Sequence, residues 1–160
     1  MVLNMFPRRS KPRAQTLVEF ALVMPILLMV IYGVLEVGRL ILTYSIVTSA
    51  SREAVRYGSA TGYVAGGTVR YCDSSGIKAA AKKVDFINVI DVNDVTKFMI
   101  AFDTTPTCPP VPDSPVPVNR ITVKVTTHFA PLEIMLRDAL EFDIVSSSSR
   151  TIIGTVQILP

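Results

Sequence analysis

The sequence predicts an α+β protein: a long N-terminal transmembrane α-helix whose outer half packs on a small extracytoplasmic domain with an antiparallel sheet. Three observations predict it. An apolar helix-forming stretch runs from Gln15 to Val47 behind a basic leader. Ile121, Val123, Val125, Thr127 and Phe129 alternate with Thr122, Lys124, Thr126 and His128, the pattern of a half-buried strand. Helical patterns come before strand patterns instead of alternating with them, which favours α+β over a parallel sheet. The 160 residues suit one small domain plus an anchor. The expected divisions are a cytoplasmic leader at 1–14, a long helix at 15–58 and an outer domain at 59–160.

The leader carries Arg8, Arg9, Lys11 and Arg13, and no acid precedes Glu19. The whole chain has a net charge of +3, so the remainder is slightly acidic and the pI near 9.0 belongs to the leader. Such a cluster holds an N-terminus in the cytoplasm. No basic patch with interleaved aromatics follows it, so nucleic acid is not an expected partner.

The lipid bilayer is. Phe20 to Leu35 contains no charged residue. Those residues give about 24 Å of helix. With Leu17 and Val18 before it and Val37 to Leu42 after it, the stretch spans a hydrocarbon core of about 30 Å. The membrane part is expected over 20–42. It is too long for a cleaved secretory signal, whose apolar region runs to about 7–15 residues. Pro25 removes one helical hydrogen bond and favours a kink. Lipid-embedded helices tolerate this when the freed carbonyl is satisfied. Glu36 and Arg39 lie at i,i+3 on one face. They can form an interfacial ion pair or meet a neighbouring subunit's helix.

The helix is expected to continue to Gly58. Leu40, Ile41, Tyr44, Val47, Ala50 and Ala54 keep a three-and-four spacing and should face the domain. Arg39, Thr43, Thr48, Ser51 and Arg52 should turn to other sides. Arg52 and Arg56 suit the negative end of the helix dipole, and Gly58 is a good stop.

In the outer domain, Asp73, Ser74 and Ser75 can cap a second helix running to about Asn88, with Ile77, Ala80, Ala81, Val84 and Ile87 as its apolar stripe. Lys97 to Asp103 reads as a strand with Phe98, Ile100 and Phe102 on one face. Thr104 to Asn119 holds six prolines and must be a loop. Arg120 to Phe129 is the cleanest strand. Pro131 to Leu140 reads as a turn or short helix. Glu141 to Ile153 closes the sheet, with Gly154 to Leu159 a candidate continuation.

Cys72 and Cys108 are the two cysteines. They can form one bridge in an oxidising compartment or remain two buried thiols. Catalytic material is sparse. His128 sits on the polar face of its strand, as a surface residue would. No HExxH, Cys-His zinc set or phosphate-cradling glycine loop is present. A calcium loop starting at Asp91 would need Gly and Glu where Thr96 and Phe102 stand, so Asp91, Asn93 and Asp94 read as a turn. No metal, cofactor or enzymatic activity is expected.

Glu19 remains to be explained. A lone carboxylate at a helix edge in lipid is costly unless paired. Cleavage between Ala14 and Gln15 would place a new α-amino group one helical turn from it. The amine of one subunit could then pair with Glu19 of a neighbour and fix the axial register between their helices.

At these residues the sequence resembles type IV-like prepilins. More closely, RAQTLVEFALVMPILLMVIYGVLEVGRL followed by TSASREAVRYGSA resembles the TadE/TadG-like pseudopilins of tight-adherence (Tad, or Flp) pilus systems. Those show a small residue, a short spacer, then Glu and an aromatic, here Ala14, Gln15 to Val18, Glu19 and Phe20. The central proline matches Pro25, the Glu-x-x-Arg pattern matches Glu36 and Arg39, and the small-residue Arg-Glu segment matches Ala50 to Arg56. The family usually has Gly where this chain has Ala14. The strand-turn-strand ending resembles Arg120 to Ile153. The resemblance implies processing between Ala14 and Gln15 by an aspartic prepilin peptidase. It implies Glu19 and Phe20 as assembly residues. It also implies as partners other pseudopilins, the Flp pilin, and the assembly platform with its ATPase. The implied role is non-enzymatic, in pilus assembly. The alternatives are a plain single-pass membrane protein whose outer domain binds a ligand or partner, and a membrane-anchored enzyme.

Overall fold

The computed structural model describes residues 13–103, 108, 120–132 and 141–152. Residues 1–12 of the basic leader, the proline-rich loop apart from Cys108, most of the Pro131 to Leu140 segment and the continuation after Ile153 lie outside the described residues. The chain separates into two compact units, Met1–Gly38 and Arg39–Pro160, and helix α1 (Arg13–Gly58) contributes to both.

The first unit is described as helix only. It is apolar on all sides: Leu17, Phe20, Leu22, Ile26, Leu28 and Met29 are each more than half exposed. A helix apolar all round must be covered by something other than its own chain. It is the one described helix long and apolar enough to cross a membrane, with a mean hydropathy of 2.4 in its best window. Pro25 lies inside it, and the helix is continuous there.

The second unit is α+β. Its elements after α1 are a 3-10 turn (Arg70–Cys72), α2 (Ser74–Lys83), β1 (Phe98–Phe102), β2 (Arg120–Phe129) and β3 (Phe142–Thr151). The strands form one antiparallel sheet in the order β1-β2-β3. β2 is central and has the expected limits. Ile121, Val123, Val125, Thr127 and Phe129 are buried, as strict alternation requires.

Residues 39–58 of α1 pack on this sheet. Ile46, Val47, Ala50, Ala54 and Val55 share a core with Ile77, Ala81, Ile90, Phe98, Ile121, Val123, Val125, Phe129 and Ile144. Small residues every four positions (Ala50, Ala54, Gly58) bring the helix backbone close to the strands. At Gly58 the approach is close: a Cβ there would lie 2.6 Å from Ile121 Cδ1 and 3.2 Å from Ile77 Cδ1.

Two expectations are corrected. The buried face of α1 is rotated from the predicted one: Ile41 and Tyr44 are exposed, while Thr43 and Ser51 are buried. Both hydroxyls find partners inside the core. Thr43 Oγ1 donates to the Arg39 carbonyl at 2.9 Å. Ser51 Oγ bonds the Thr48 carbonyl at 3.0 Å and the hydroxyls of Ser146 and Ser148 at 3.0 and 2.9 Å. A buried polar group is tolerated when so satisfied.

The second correction concerns α2, which stops at Lys83 rather than near Asn88. Its start is as expected, with Asp73 accepting from the Gly76 N–H at 2.9 Å. Its end is set by Asp85. That carboxylate takes the N–H groups of Val89 and Ile90 at 2.8 and 3.0 Å and the Lys82 ammonium at 2.9 Å. Chain reversal there puts Asn88 at φ 58° and leaves Ile87 exposed, away from the expected stripe.

Candidate functional site: an apolar helix with a lone carboxylate

Glu19 is exposed and lies in the second turn of α1. It makes no hydrogen bond or ion pair among the described residues. Phe20, beside it, is 61 % exposed. Between Glu19 and Glu36 the helix carries no other charge. The carboxylate is therefore an isolated acid on a helix that is otherwise suited to lipid. Pro25 lacks an N–H and so frees the carbonyl of Ala21, four residues back. At the far end of the same unit, Tyr32 donates to Glu36 Oε1 at 2.8 Å.

In the second unit, Arg39 donates to the carbonyl of Ala130, and its guanidinium lies 4.7 Å from the centre of the Phe129 ring. Phe129 in turn contacts Phe142, with ring centres 5.6 Å apart. Arg39 is thus held at the mouth of the sheet, where β2 ends and β3 begins. The sequence marked Arg39 by its spacing from Glu36, but its aromatic and carbonyl partners lie ninety residues further on and left no local signal.

Cys72 and Cys108 are joined in the structure, with Cα atoms 5.4 Å apart, a separation usual for a bridge. The bridge ties the 3-10 turn before α2 to the segment after β1. Beside it, Tyr71, Ile77, Ile100 and Phe102 line a small cleft of about 160 Å³. The Tyr71 hydroxyl is buried there without a hydrogen-bond partner among the described residues. Burial, with Tyr63 nearby, raises its pKa. No acid or base accompanies it, so the cleft has no catalytic arrangement among the described residues.

His128 stands between two carboxylates. Its Nδ1 is 2.9 Å from Asp143 Oδ1, directly across the β2–β3 ladder, and its Nε2 bonds Glu141. The two carboxylates approach opposite ring nitrogens, a geometry that favours the imidazolium with both nitrogens donating. Hydrogen bonds first to Asp143 and then to Glu141 raise its pKa. The clamp therefore contributes to stability fully below the ordinary histidine value of about 6.5. It is lost as pH rises through the raised folded value. An NMR titration of the imidazole is expected to show a midpoint above that of His128 in a variant with Asp143→Asn and Glu141→Gln. Equal midpoints would dissolve the clamp. Strand alternation alone places His128 on the surface, but its two partners had no signal in the sequence.

Taken together, the fold and the helix define a class: a small α+β domain carried on one long apolar helix with a single acid near its start. The family model described as TadE-like protein matches residues 14–56, nearly the whole of α1. That segment is therefore TadE-like, in accord with the resemblance carried by Ala14, Glu19, Pro25 and the Glu36-x-x-Arg39 pattern. No curated protein and no solved structure matches the chain significantly.

Proposed function

We propose that this protein is a membrane-anchored, pilin-like subunit that acts in the assembly of a Tad-type pilus, with a structural rather than enzymatic role. The observation that carries the proposal is Glu19, exposed and without a partner among the described residues, on a helix within the TadE-like match. A chain that keeps such a group must gain by pairing it, because an unpaired acid in lipid is costly. Cleavage between Ala14 and Gln15 supplies the partner: the new α-amino group of one subunit meets Glu19 of the next. Phe20 packs beside that pair. The bend that Pro25 favours lets neighbouring helices satisfy the freed backbone. Glu36 and Arg39 close the apolar stretch at the opposite bilayer face.

The four cations of the leader favour a cytoplasmic N-terminus, which puts the domain outside. The Cys72–Cys108 bridge supports the same placement, since disulfides persist in oxidising compartments. A prepilin peptidase, other pilin-like subunits and an inner-membrane assembly platform are the partners this role requires.

The test is the N-terminal sequence of the protein isolated from its native host. A chain beginning at Gln15 is the expected result. A chain that still carries Arg8 to Arg13 in a host with an active prepilin peptidase would leave a plain membrane anchor instead.

A further inference from the structure

The antiparallel register places charged residues at opposite ends of the second unit. β1 and β3 end where β2 begins, so Arg120 and Arg150 share one end, with Asp103 bonded to the Arg120 backbone. α1 reaches the same end, because Gly58 abuts Ile121. Here Arg52, Arg56 and Arg150 line a groove of about 440 Å³ between α1 and β3, with Glu53, Ser148 and Ser149. Arg56 is 3.6 Å from Glu53, a loose and exposed pair. The side chains of Arg52 and Arg150 have no ion pair or hydrogen bond among the described residues.

The opposite end, where β1 and β3 begin and β2 finishes, holds Asp91, Asp94, Glu141 and Asp143. Lys97 lies 3.5 Å from Asp94, His128 bridges Glu141 and Asp143, and Arg39 is engaged by Ala130 and Phe129. Asp91 is exposed, and its contact is the Asn93 N–H within its own turn. One end thus offers two guanidiniums, of Arg52 and Arg150, with no acid partner among the described residues, and the other offers the Asp91 carboxylate with no cation partner among them.

We propose that the arginine groove of one copy receives the acidic end of a second copy of this chain, Asp91 and Glu141 facing Arg52 and Arg150. The proposal rests on the assembling-subunit reading above. Such a contact joins two different surfaces, so it repeats head to tail and builds an open chain rather than a closed dimer. Guanidinium–carboxylate pairing supplies orientation as well as attraction, and the contact should weaken with salt.

The test uses the full-length protein in detergent micelles, with its mass followed by light scattering at about 0.05 M and about 0.5 M salt. Wild type is expected to self-associate at low salt. One variant carries Arg52→Glu with Arg150→Glu, and another carries Asp91→Lys with Glu141→Lys. Each alone is expected to associate at least about tenfold more weakly. Mixing the two variants restores the complex, which misfolded variants could not do. A wild type that stays monomeric, variants that associate like wild type, or a mixture that fails to recover each overturn the proposal. The Glu19→Ala variant separates the two ideas. Should it abolish association while the charge variants do not, the helix alone carries assembly and the groove proposal falls. Should it assemble pili normally in cells, the Glu19 pairing fails, and the mixing result still decides the groove.

Discussion

Asp85→Ala is expected to destabilise the second unit by about 2–4 kcal/mol, with a fall in Tm of roughly 10 °C. Asp85 is 7 % exposed and accepts from Lys82, Val89 and Ile90. Alanine would leave two backbone N–H groups and an ammonium without that acceptor, and the penalty for unmet buried donors is larger than the gain from making the bonds. The loss spreads because the segment it holds ends in Ile90, which is 2 % exposed within the core. The Lys82 ammonium also reaches the Asn88 side chain and the Ile90 carbonyl, so one carboxylate and one amine together brace the whole reversal from α2 towards β1.

The pH dependence has a definite sign. Burial pushes the Asp85 carboxyl up, but the Lys82 bond and the N–H groups of Val89 and Ile90 together outweigh it and leave its pKa below the ordinary value. A depressed folded pKa contributes stability that is present above the unfolded value and lost as pH falls through the folded one. Wild type should therefore weaken below about pH 4, and Asp85→Asn should show a flatter acid limb. Thermal unfolding followed by circular dichroism across that range checks both. A Tm within about 2 °C of wild type for Asp85→Ala would mean that the network does not hold the turn.

How far these features could be read from the sequence depends on how local their causes are. β2 was legible from Arg120 to Phe129 because alternation is a property of adjacent residues. The long helix was legible because sixteen uncharged residues leave few alternatives. The face of α1 was misread at Thr43 and Ser51 because polarity was taken as exposure. Ser51 is buried only because β3 brings Ser146 and Ser148, more than ninety residues away, within hydrogen-bonding distance. The end of α2 was overrun because Ile87 continued the helical spacing. The stop comes from a buried acid, and the sequence hinted at it only through Lys82 three residues before Asp85. Glu19 needed no structure to stand out, since its signal is the absence of any other charge nearby. The arginine groove had no such signal: its walls come from α1 and β3, and each arginine alone reads as solvated surface.

Glu19→Ala is expected to leave the protein in the membrane and to abolish its incorporation into a pilus. Insertion should survive because removing an acid makes the segment more apolar, and the uncharged stretch from Phe20 to Leu35 is untouched. On the proposed pairing, assembly should fail because the α-amino group of the neighbouring subunit would enter lipid with no counter-charge. Truncating one partner of a desolvated charge pair typically costs about 2–5 kcal/mol. At 1.4 kcal/mol per factor of ten, that weakens each subunit contact roughly thirty-fold or more. Glu19→Gln keeps the shape and loses the charge, so it should fail nearly as badly. Glu19→Asp keeps the charge on a shorter arm and should retain part of the assembly. The order wild type, Asp, Gln, Ala in surface pili, measured at equal membrane levels of the protein, is the signature of an ion pair. Equal assembly by all four would remove the pairing mechanism, and a loss of membrane protein in the Ala variant would move the role of Glu19 from assembly to insertion.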